Sequence, residues 1–217
     1  MGSSNGSGTG GNGSNGSNGG NGKGDHDHLH EHEHRPHHHH EHAHGGGTAG
    51  SVPAQHKARA PQYARVWVVT CSDSRSEATD ESGRWMRARL ADLGHVLSGS
   101  AVIPDETDRL LEQLGHARKA SAQAVLVTGG TGISRRDRTF EAVAQQIARP
   151  LPGFGELFRA LSFAEIGSAA MLSRAVGGVA QDGLLLFAMP GSPQAVRLAC
   201  DRLIFPELTH LLEELGR

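Results

Sequence analysis

The sequence predicts an α/β protein with a three-layer α/β/α fold, in which helices cover a mostly parallel sheet with one antiparallel strand. Two observations carry this prediction. Short apolar runs rich in valine alternate with segments of helical periodicity between residues 64 and 148, which is typical of a parallel sheet. Further along, two apolar runs flank Gln181-Asp182-Gly183, a pattern typical of a hairpin and therefore of one antiparallel strand.

The first half of the fold is predicted to contain three strands, each followed by a helix. The strands are apolar and end at polar or glycine-rich turns, and each helix starts near a capping Asp, Ser or Thr. In order, the predictions are strand 64–70, a helix from Asp80 or Ser82 to Leu93, strand 96–103, a helix from Asp105 or Thr107 to about Ala120, strand 125–128 and helix 139–148.

The second half is predicted to begin with a loop, Leu151-Pro-Gly-Phe-Gly-Glu156. Ser192 followed by Pro193 indicates a helix start, because serine caps a helix and proline suits its first position. The remaining predictions are helix 156–166, strands 174–180 and 184–189, and helices 194–203 and 206–215. Three polar or glycine-rich loops, 72–75, 129–137 and 191–192, follow predicted strands, so we expect them to lie at one edge of the sheet.

The first sixty residues contain almost nothing that a core could bury. Residues 1–24 are mainly Gly, Ser, Asn and Thr, residues 25–44 hold eleven of the fifteen histidines among Asp and Glu, and residues 45–60 resemble a linker. We therefore predict that residues 1–60 are a disordered tail, which precedes one compact domain at residues 61–217.

The histidine tract offers imidazoles beside carboxylates, a ligand set suited to Zn, Ni, Co or Cu. A modest metal-buffering role competes with the alternative that any metal affinity is incidental to a solvated tail, and Met-Gly-Ser-Ser is also a common expression-vector start. The candidate transition-metal ligands are His26, His28, His30, His32, His34, His37, His38, His39, His40, His42 and His44.

Composition argues against several classes of partner. The net charge is −2 and aromatic residues make up 4% of the chain. Nucleic-acid-binding proteins usually present a basic surface with aromatic side chains, so these values do not indicate a nucleic-acid partner. Without an apolar run of membrane-spanning length or a signal-peptide core, we predict a cytoplasmic protein with no membrane partner. The two cysteines, Cys71 and Cys200, suit a reducing compartment.

A glycine-rich turn follows the third predicted strand. Val125-Leu-Val-Thr-Gly-Gly-Thr-Gly132 leads directly into an Arg-Arg-Asp-Arg-Thr cluster. Ligands of α/β proteins bind where strand carboxyl ends meet helix amino ends, and glycines there let the backbone approach an anionic group. The turn lacks the spacing of a Walker A or dinucleotide-binding loop. It predicts a phosphorylated or otherwise anionic small ligand, although a purely structural turn is about equally compatible.

Acidic and basic side chains surround this turn. Asp80, Asp105 and Asp137 each lie in a loop at a strand or helix end, where carboxylates hold Mg²⁺ against phosphate or orient a reacting group. Helix capping is the alternative, and it is favoured for Asp105 taken alone. Arginines 135, 136 and 138 could neutralise phosphate or simply be solvated. No histidine of residues 61–217 lies at a strand end as a general base, which argues against a Ser-His-Asp hydrolase.

From about Tyr63 to Leu212 the chain resembles the MoaB/MogA family of molybdenum cofactor biosynthesis proteins. The matching segments occur in one order along the chain. They are T-C-S-D-S-R, D-E-S-G, I-P-D-E, T-G-G-T-G-I-S-R-R-D-R-T-F-E-A, P-G-F-G-E-L-F-R-A-L-S-F-A-E-I-G, L-S-R-A-V-G-G-V and F-A-M-P-G-S-P-Q-A. The F-R-A-L-S-F-A-E-I-G and F-A-M-P-G-S stretches are closer to the MoaB branch.

The resemblance implies homotrimers or dimers of trimers that bind molybdopterin. In active members it also implies adenylylation of the molybdopterin terminal phosphate by ATP with Mg²⁺, with release of pyrophosphate. The two aspartates that this reaction needs in the family fall on Asp105 and Asp137, as catalytic residues and Mg²⁺ ligands. Because some MoaB-branch members lack the first of them, its presence favours a working molybdopterin adenylyltransferase.

The resemblance also implies which residues contact the substrates. Phe140 stands where the family often has proline, a departure that should affect the helix start more than the chemistry. The expected substrate-binding residues are Ser72, Asp73, Asp80, Gly129, Gly130, Thr131, Gly132, Thr139, Gly191 and Ser192.

Three alternatives stay open at this point. The chain could bind or carry molybdopterin without adenylylating it. It could be a metal-handling protein in which the histidine tract is the active part. The related domain of competence-damage-type proteins ranks low, because the chain has no room for their additional domain.

Overall fold

The computed structural model describes residues 61–216, so the predictions for the histidine-rich tail lie outside the described residues. Strands and helices alternate along these residues. In order they are β1 (Arg65–Cys71), α1 (Glu81–Asp92), β2 (Val96–Ile103), α2 (Thr107–Lys119), β3 (Ala124–Thr128), α3 (Thr139–Gln146), β4 (Ile147–Pro150), α4 (Pro152–Ile166), a 3₁₀ turn (Gly167–Leu172), β5 (Val176–Ala180), β6 (Leu185–Met189), α5 (Pro193–Ala199), a π turn (Cys200–Ile204) and α6 (Phe205–Leu215).

The six strands form one mixed sheet in the order β2-β1-β3-β6-β5-β4. The pairs β1 with β2, β1 with β3 and β3 with β6 are parallel. β5 pairs antiparallel with both of its neighbours, β6 and β4. The predicted fold class, a mostly parallel sheet with one antiparallel strand, is therefore confirmed, and β1, β3 and β6 run side by side in its middle.

Apolar side chains cover both faces of this sheet. On one face Leu126 and Phe187 pack with Phe158 of α4 and Leu208 of α6. On the other face, alternate strand residues such as Val125 and Val127 pack with Leu110 and Leu114 of α2 and Val143 of α3. The two clusters give the three layers that the alternating pattern predicts, since neighbouring residues of a strand point to opposite faces.

The edge strand β4 was not predicted, and the assignment of a helix as far as Ala148 was wrong. α3 ends at Gln146, and Ile147–Pro150 pairs with β5 instead. Pro150 restricts Arg149 to extended backbone. Gly178 of β5 allows the close pairing, because a Cβ there would overlap the Ile147 side chain and the carbonyl of Arg149.

The predicted loop at residues 151–156 is the first part of α4, which begins at Pro152. Phe154 contacts the ring of Phe187 edge-on, with ring centroids 5.1 Å apart, and Gly155 brings the helix against the carbonyl of Ala175. This packing outweighs the low helix propensity of the two glycines in Pro-Gly-Phe-Gly. The two predicted C-terminal helices join through the π turn Cys200–Ile204.

None of the helices described within residues 61–216 is long and apolar enough to cross a membrane.

Candidate functional site

Three loops meet at the carboxyl edge of the sheet, as the sequence predicts, because the neighbouring strands β1, β3 and β6 are parallel. The amide of Gly129 donates to the carbonyl of Met189 at 3.1 Å, and Arg75 Nη1 donates to the carbonyl of Gly191 at 3.1 Å. A cavity of about 410 Å³, here called the glycine-loop cavity, lies between them. Its walls are Cys71, Ser72, Ser74, Arg75, Gly129, Gly130, Thr131, Gly132, Asp137, Leu172, Ser173, Pro190 and Gly191.

Two glycines of this loop have conformations and contacts that other residues would not tolerate. Gly129 has φ +91° and Gly130 has φ +58°, a region that L-residues with a Cβ rarely adopt. A Cβ on Gly129 would overlap the carbonyl oxygen of Cys71, and one on Gly130 would overlap the Asp105 carboxylate and the Thr139 hydroxyl. The bare backbone thus lies directly against an acidic side chain as well as against the cavity.

Asp105 stands just after β2 with its carboxylate half-buried. Its Oδ1 accepts a hydrogen bond from Thr139 Oγ1 at 2.8 Å, and its amide donates to Asp73 Oδ1 at 3.1 Å. Helix capping, the alternative for this residue, is not observed, since Glu106 is the N-cap of α2 and no side chain caps that helix. The carboxylate instead faces the start of α3.

The surroundings of Asp105 favour the protonated form of its carboxyl group. Burial raises the pKa of Asp105 above its usual value, and the charges of Asp137 and Asp73 raise it further, whereas hydrogen bonds from Thr139 and from the Arg138 backbone oppose the rise. Such a group is stabilised either by taking up a proton or, when ionised, by a nearby cation. Raised carboxyl pKa values are common at functional sites.

Asp137 belongs to the loop between Gly132 and α3. Its Oδ2 accepts a hydrogen bond from the amide of Ser134 at 2.9 Å, which closes a small turn. Gly132 lets the loop fold over this carboxylate, because a Cβ there would lie 2.7 Å from Asp137 Oδ2. Asp137 is therefore held in the wall of the glycine-loop cavity.

A second cavity of about 480 Å³, here called the arginine cavity, adjoins Asp105. Arg136 Nη1 lies 3.7 Å from Asp73 Oδ2 within it. Its walls are Asp73, Asp105, Glu106, Arg135, Arg136 and Arg138. Cations and carboxylates thus face one space, an arrangement that fits a phosphorylated ligand accompanied by a metal ion.

Within residues 61–216 no group of three or more His, Cys, Asp or Glu side chains is arranged to hold a metal ion by itself. Mg²⁺ seldom needs such a cage, because it keeps waters and binds one or two carboxylates plus substrate phosphates.

Asp80 lies apart from the other predicted contacts. Its side chain is fully buried, where it caps α1 by accepting from the amide of Gly83 and also accepts from the Thr70 hydroxyl, both at 2.9 Å. Arg87 Nη1 is 3.7 Å away. Asp80 is in the wall of neither cavity, so its place in the structure is that of a buried support for the loop after β1.

Two other predicted contacts are bonded within the protein, Ser192 to the backbone and Thr139 to a side chain. Ser192 Oγ accepts from the amide of Ala195 at 3.2 Å and caps α5, as predicted from Ser192 and Pro193. Thr139 is buried and directs its hydroxyl to Asp105. Both side chains therefore already have partners within the protein.

Besides Cys71, the predicted site residues left out five residues of the cavity wall, Ser74, Arg75, Leu172, Ser173 and Pro190. Arg75 lies in a loop that the sequence places at the site, and its guanidinium crosses to Gly191. Pro190 directly precedes that glycine. Leu172 and Ser173 come from the turn after α4, and no local pattern connects them with the glycine loop.

Cys71 borders the glycine-loop cavity, but its thiol is nearly inaccessible. Burial raises the pKa of the Cys71 thiol to about 12. Since the thiolate is the reactive form of cysteine, this residue is unsuited to nucleophilic catalysis near neutral pH.

Comparison with known proteins agrees with this geometry. A family model described as "Probable molybdopterin binding domain" matches residues 67–210. Molybdenum cofactor biosynthesis protein B of Halalkalibacterium halodurans is 45% identical over 163 residues, which cover 74% of this chain and 95% of that protein. The protein of the same name from Bacillus subtilis is 45% identical over 165 residues, 75% of this chain and 96% of its own.

Solved structures give the same result. A crystal structure of molybdenum cofactor biosynthesis protein B shares 44% identity with a TM-score of 0.69, covering 73% of this chain and 99% of its own. The tungsten cofactor synthesizing protein MoaB from Pyrococcus furiosus shares 35% identity with a TM-score of 0.66, covering 73% and 100%. The chain therefore belongs to the MoaB/MogA family of molybdenum cofactor biosynthesis proteins.

Proposed function

We propose that this protein adenylylates molybdopterin, using ATP and Mg²⁺ and releasing pyrophosphate. One observation carries the proposal: the glycine-loop cavity and the arginine cavity adjoin where Gly130 packs against the Asp105 carboxylate. A reaction between two phosphorylated substrates needs two binding spaces that meet at one point. Asp105 and Asp137, one in the wall of each cavity, are the proposed catalytic residues.

In this reaction molybdopterin supplies the nucleophile. An oxygen of its terminal phosphate attacks the α-phosphorus of ATP, the new phosphorus–oxygen bond forms, and the bond to the departing pyrophosphate breaks. The protein needs to position the two phosphates and offset their repulsion, so a Ser-His or Cys-His pair is not required. The buried Cys71 thiol, with its raised pKa, is consistent with such a mechanism.

Each part of the site has a task in this scheme. Backbone amides of residues 130–132, together with the Thr131 hydroxyl, bind phosphate oxygens, while Arg135, Arg136 and Arg138 neutralise their charge. Gly191 and the loop after β1, with Ser72 and Asp73, complete the walls. Thr139 and Asp80 support the site from within through their hydrogen bonds to Asp105 and to α1.

The donor set fits a magnesium ion brought in with ATP. Asp105 and Asp137 provide oxygen ligands of the kind that Mg²⁺ prefers, and phosphate oxygens and water would supply the rest. When bound, the ion offsets negative charge on the phosphates. It would also relieve the repulsion that Asp73 and Asp137 exert on an ionised Asp105.

We also propose that the protein forms homotrimers or dimers of trimers. An apolar surface on α4 and the turn that follows it supports this assembly. Leu157, Phe163, Ile166, Met171 and Leu172 are 50% to 80% exposed, and a second copy of the chain could bury such large apolar side chains. Sedimentation of wild type and of Phe163→Glu tests this: the variant should shift toward monomer, and unchanged sedimentation would assign the surface another role.

The test of the proposed activity is incubation of the full-length protein with molybdopterin, ATP and Mg²⁺ while pyrophosphate and adenylylated product are measured. Wild type should form both in equal amounts. Asp137→Asn should keep its fold, since an amide oxygen still accepts from Ser134, and lose at least about a hundredfold in turnover. Asp108→Asn, on the exposed side of α2, is the matched control.

The possible outcomes separate the two main functions. Molybdopterin binding without product would identify a binding or carrier protein. Near-normal turnover in Asp137→Asn would remove that carboxylate from the mechanism.

A further inference from the structure

Arg174 links the start of α3 to a cavity wall formed elsewhere in the chain. Its guanidinium carbon lies 4.3 Å from the centre of the Phe140 ring, and its Nη2 donates to Glu141 Oε1 at 2.6 Å. Phe140 and Glu141 are the second and third residues of α3. They directly follow Thr139, whose hydroxyl holds Asp105. The stack and the ion pair therefore hold the first turn of α3, which directly follows the loop that contains Asp137.

The other end of this connection is the wall of the glycine-loop cavity. Leu172 and Ser173, which line that cavity, immediately precede Arg174. Short local bonds tie these residues together: the Arg174 amide donates to the Leu172 carbonyl at 3.0 Å, and the Ser173 amide donates to the Ala170 carbonyl at 2.9 Å. Any displacement of Arg174 will thus be transmitted to the wall.

Within one subunit, burial does little to hold this part of the chain. Leu172 is 58% exposed and Met171 is 80% exposed, so few apolar contacts from the same chain fix its position. The Arg174 side chain, in contrast, is only 25% exposed. The Arg174 guanidinium makes both a charge-assisted hydrogen bond and a cation–π contact. Because both interactions depend on orientation, they fix the position of this segment where apolar packing does not.

We propose that Arg174 is a positioning residue for the ligand of the glycine-loop cavity. By stacking on Phe140 and pairing with Glu141, it sets the distance between the Leu172–Ser173 wall and the Asp137–Thr139 loop. The inference rests on the proposed function only for the identity of the ligand, molybdopterin.

The direct test is the dissociation constant of molybdopterin for full-length wild type and variants, measured without ATP. Arg174→Ala should raise this constant about tenfold. Arg174→Lys should give an intermediate value, because lysine keeps the charge but cannot stack a planar group on Phe140 while bonding to Glu141. In the complete reaction, KM for molybdopterin should rise with Arg174→Ala while kcat stays within about twofold, because Ser134 and Thr139 still hold Asp137 and Asp105.

Arg118→Ala is the matched control. Arg118 bonds to Asp182 at 2.5 Å at the opposite end of the sheet, so its loss removes an ion pair between distant elements without reaching the cavity wall. It should leave molybdopterin affinity unchanged.

A double-mutant comparison shows whether Arg174 works through α3. If it does, the double variant Phe140→Leu/Glu141→Gln should weaken molybdopterin binding by about as much as Arg174→Ala. The variant with all three changes should then bind only slightly more weakly than either of these. Should Arg174→Ala fail to fold, the Phe140→Leu and Glu141→Gln variants carry the test alone.

Three results would overturn the proposal. The first is unchanged molybdopterin affinity in folded Arg174→Ala or in the variants of Phe140 and Glu141. The second is a loss of molybdopterin affinity in Arg118→Ala as large as that in Arg174→Ala. The third is failure of the wild type to bind molybdopterin. Binding by wild type without adenylylated product would refute only the proposed activity, and the affinity comparison would still decide the role of Arg174.

Discussion

The hydroxyl of Thr139 donates a 2.8 Å hydrogen bond to the carboxylate of Asp105, which lies 34 positions earlier in the chain. The amide of Thr139 also donates to the carbonyl of Gly130, at 3.0 Å. One residue at the start of α3 thereby holds the end of β2 and the glycine loop together. Thr139 orients the proposed catalytic carboxylate from behind, which is a different task from the substrate contact that the family resemblance implies.

Replacing Thr139 by valine, which has nearly the same shape, should remove this orientation. The Asp105 carboxylate would lose a hydrogen bond to a charged group, an interaction of about 1.5–3 kcal/mol. We expect adenylylation to fall roughly tenfold or more, with a lower melting temperature. Thr139→Ser keeps the hydroxyl and should retain most of the activity. Equal activity of the valine and serine variants would show that the hydrogen bond is dispensable.

Asp105→Asn should be more stable than wild type at neutral pH although inactive. Because the folded-state pKa of Asp105 is raised, mainly by burial, the folded protein binds a proton more tightly than the unfolded chain does. Stability from this group is thus present at low pH and lost as pH rises through the raised pKa. When melting temperatures are measured from pH 4 to 8, the melting temperature of Asp105→Asn should rise relative to that of wild type as the pH approaches neutrality.

The same titration predicts the pH dependence of the reaction. If catalysis needs ionised Asp105, turnover should decline on acidification at a higher pH than an ordinary aspartate would produce. A melting difference between wild type and Asp105→Asn that does not vary with pH would contradict both expectations.

Gly130→Ala and Gly94→Ala form a matched pair. Both glycines have positive φ, +58° and +75°, so both alanines should cost about 1–2 kcal/mol in backbone strain. Only at Gly130 would the new methyl group also meet the Asp105 carboxylate and the Thr139 hydroxyl, since nothing lies within 4 Å of the corresponding point at Gly94. Gly130→Ala should melt lower and lose at least about a hundredfold in turnover, while Gly94→Ala should keep its rate. Similar rates in the two variants would refute the close-contact argument.

The Cys71 thiol should resist alkylation in the folded protein. With a pKa of about 12, about one thiol in ten thousand is ionised at pH 8, compared with about one in ten at the ordinary value of 9.0. Iodoacetamide labelling followed by mass spectrometry should therefore be about a thousandfold slower than in denaturant, for Cys71 in particular. Rapid labelling of the folded protein would show that this residue is open to solvent.

We propose that residues 61–217 carry the activity and that residues 1–60 are an accessory tail. About a quarter of the chain has no counterpart in the Halalkalibacterium halodurans relative, 95% of whose length is matched. A protein beginning at Pro61 should keep its turnover and lose most of its capacity for Zn²⁺ or Ni²⁺, measured by titration calorimetry. A loss of turnover equal to the loss of metal capacity would make the tail part of the catalytic protein.

Local sequence patterns were enough to locate most elements and most of the candidate site. Valine-rich runs and capping residues placed the central strands and helix starts to within a few residues, and the glycine-rich turn lies where parallel strands end. The edge strand β4 and the beginning of α4 were missed, because Ile147–Pro150 and Pro152–Gly155 take their structure from packing partners in β5 and β6. Those partners lie more than twenty residues away in the chain.

By itself, the sequence determined that parallel strands would bring three loops to one edge of a sheet, with Asp105 and Asp137 beside a glycine turn. Strand periodicity and glycine content are properties of short segments, so they can be seen without a structure. Only the tertiary structure decided that Asp80 is a buried cap, that Thr139 holds Asp105, and that Leu172 and Ser173 close the cavity. Such roles depend on which distant side chains pack against each other, and that is a property of the folded core as a whole.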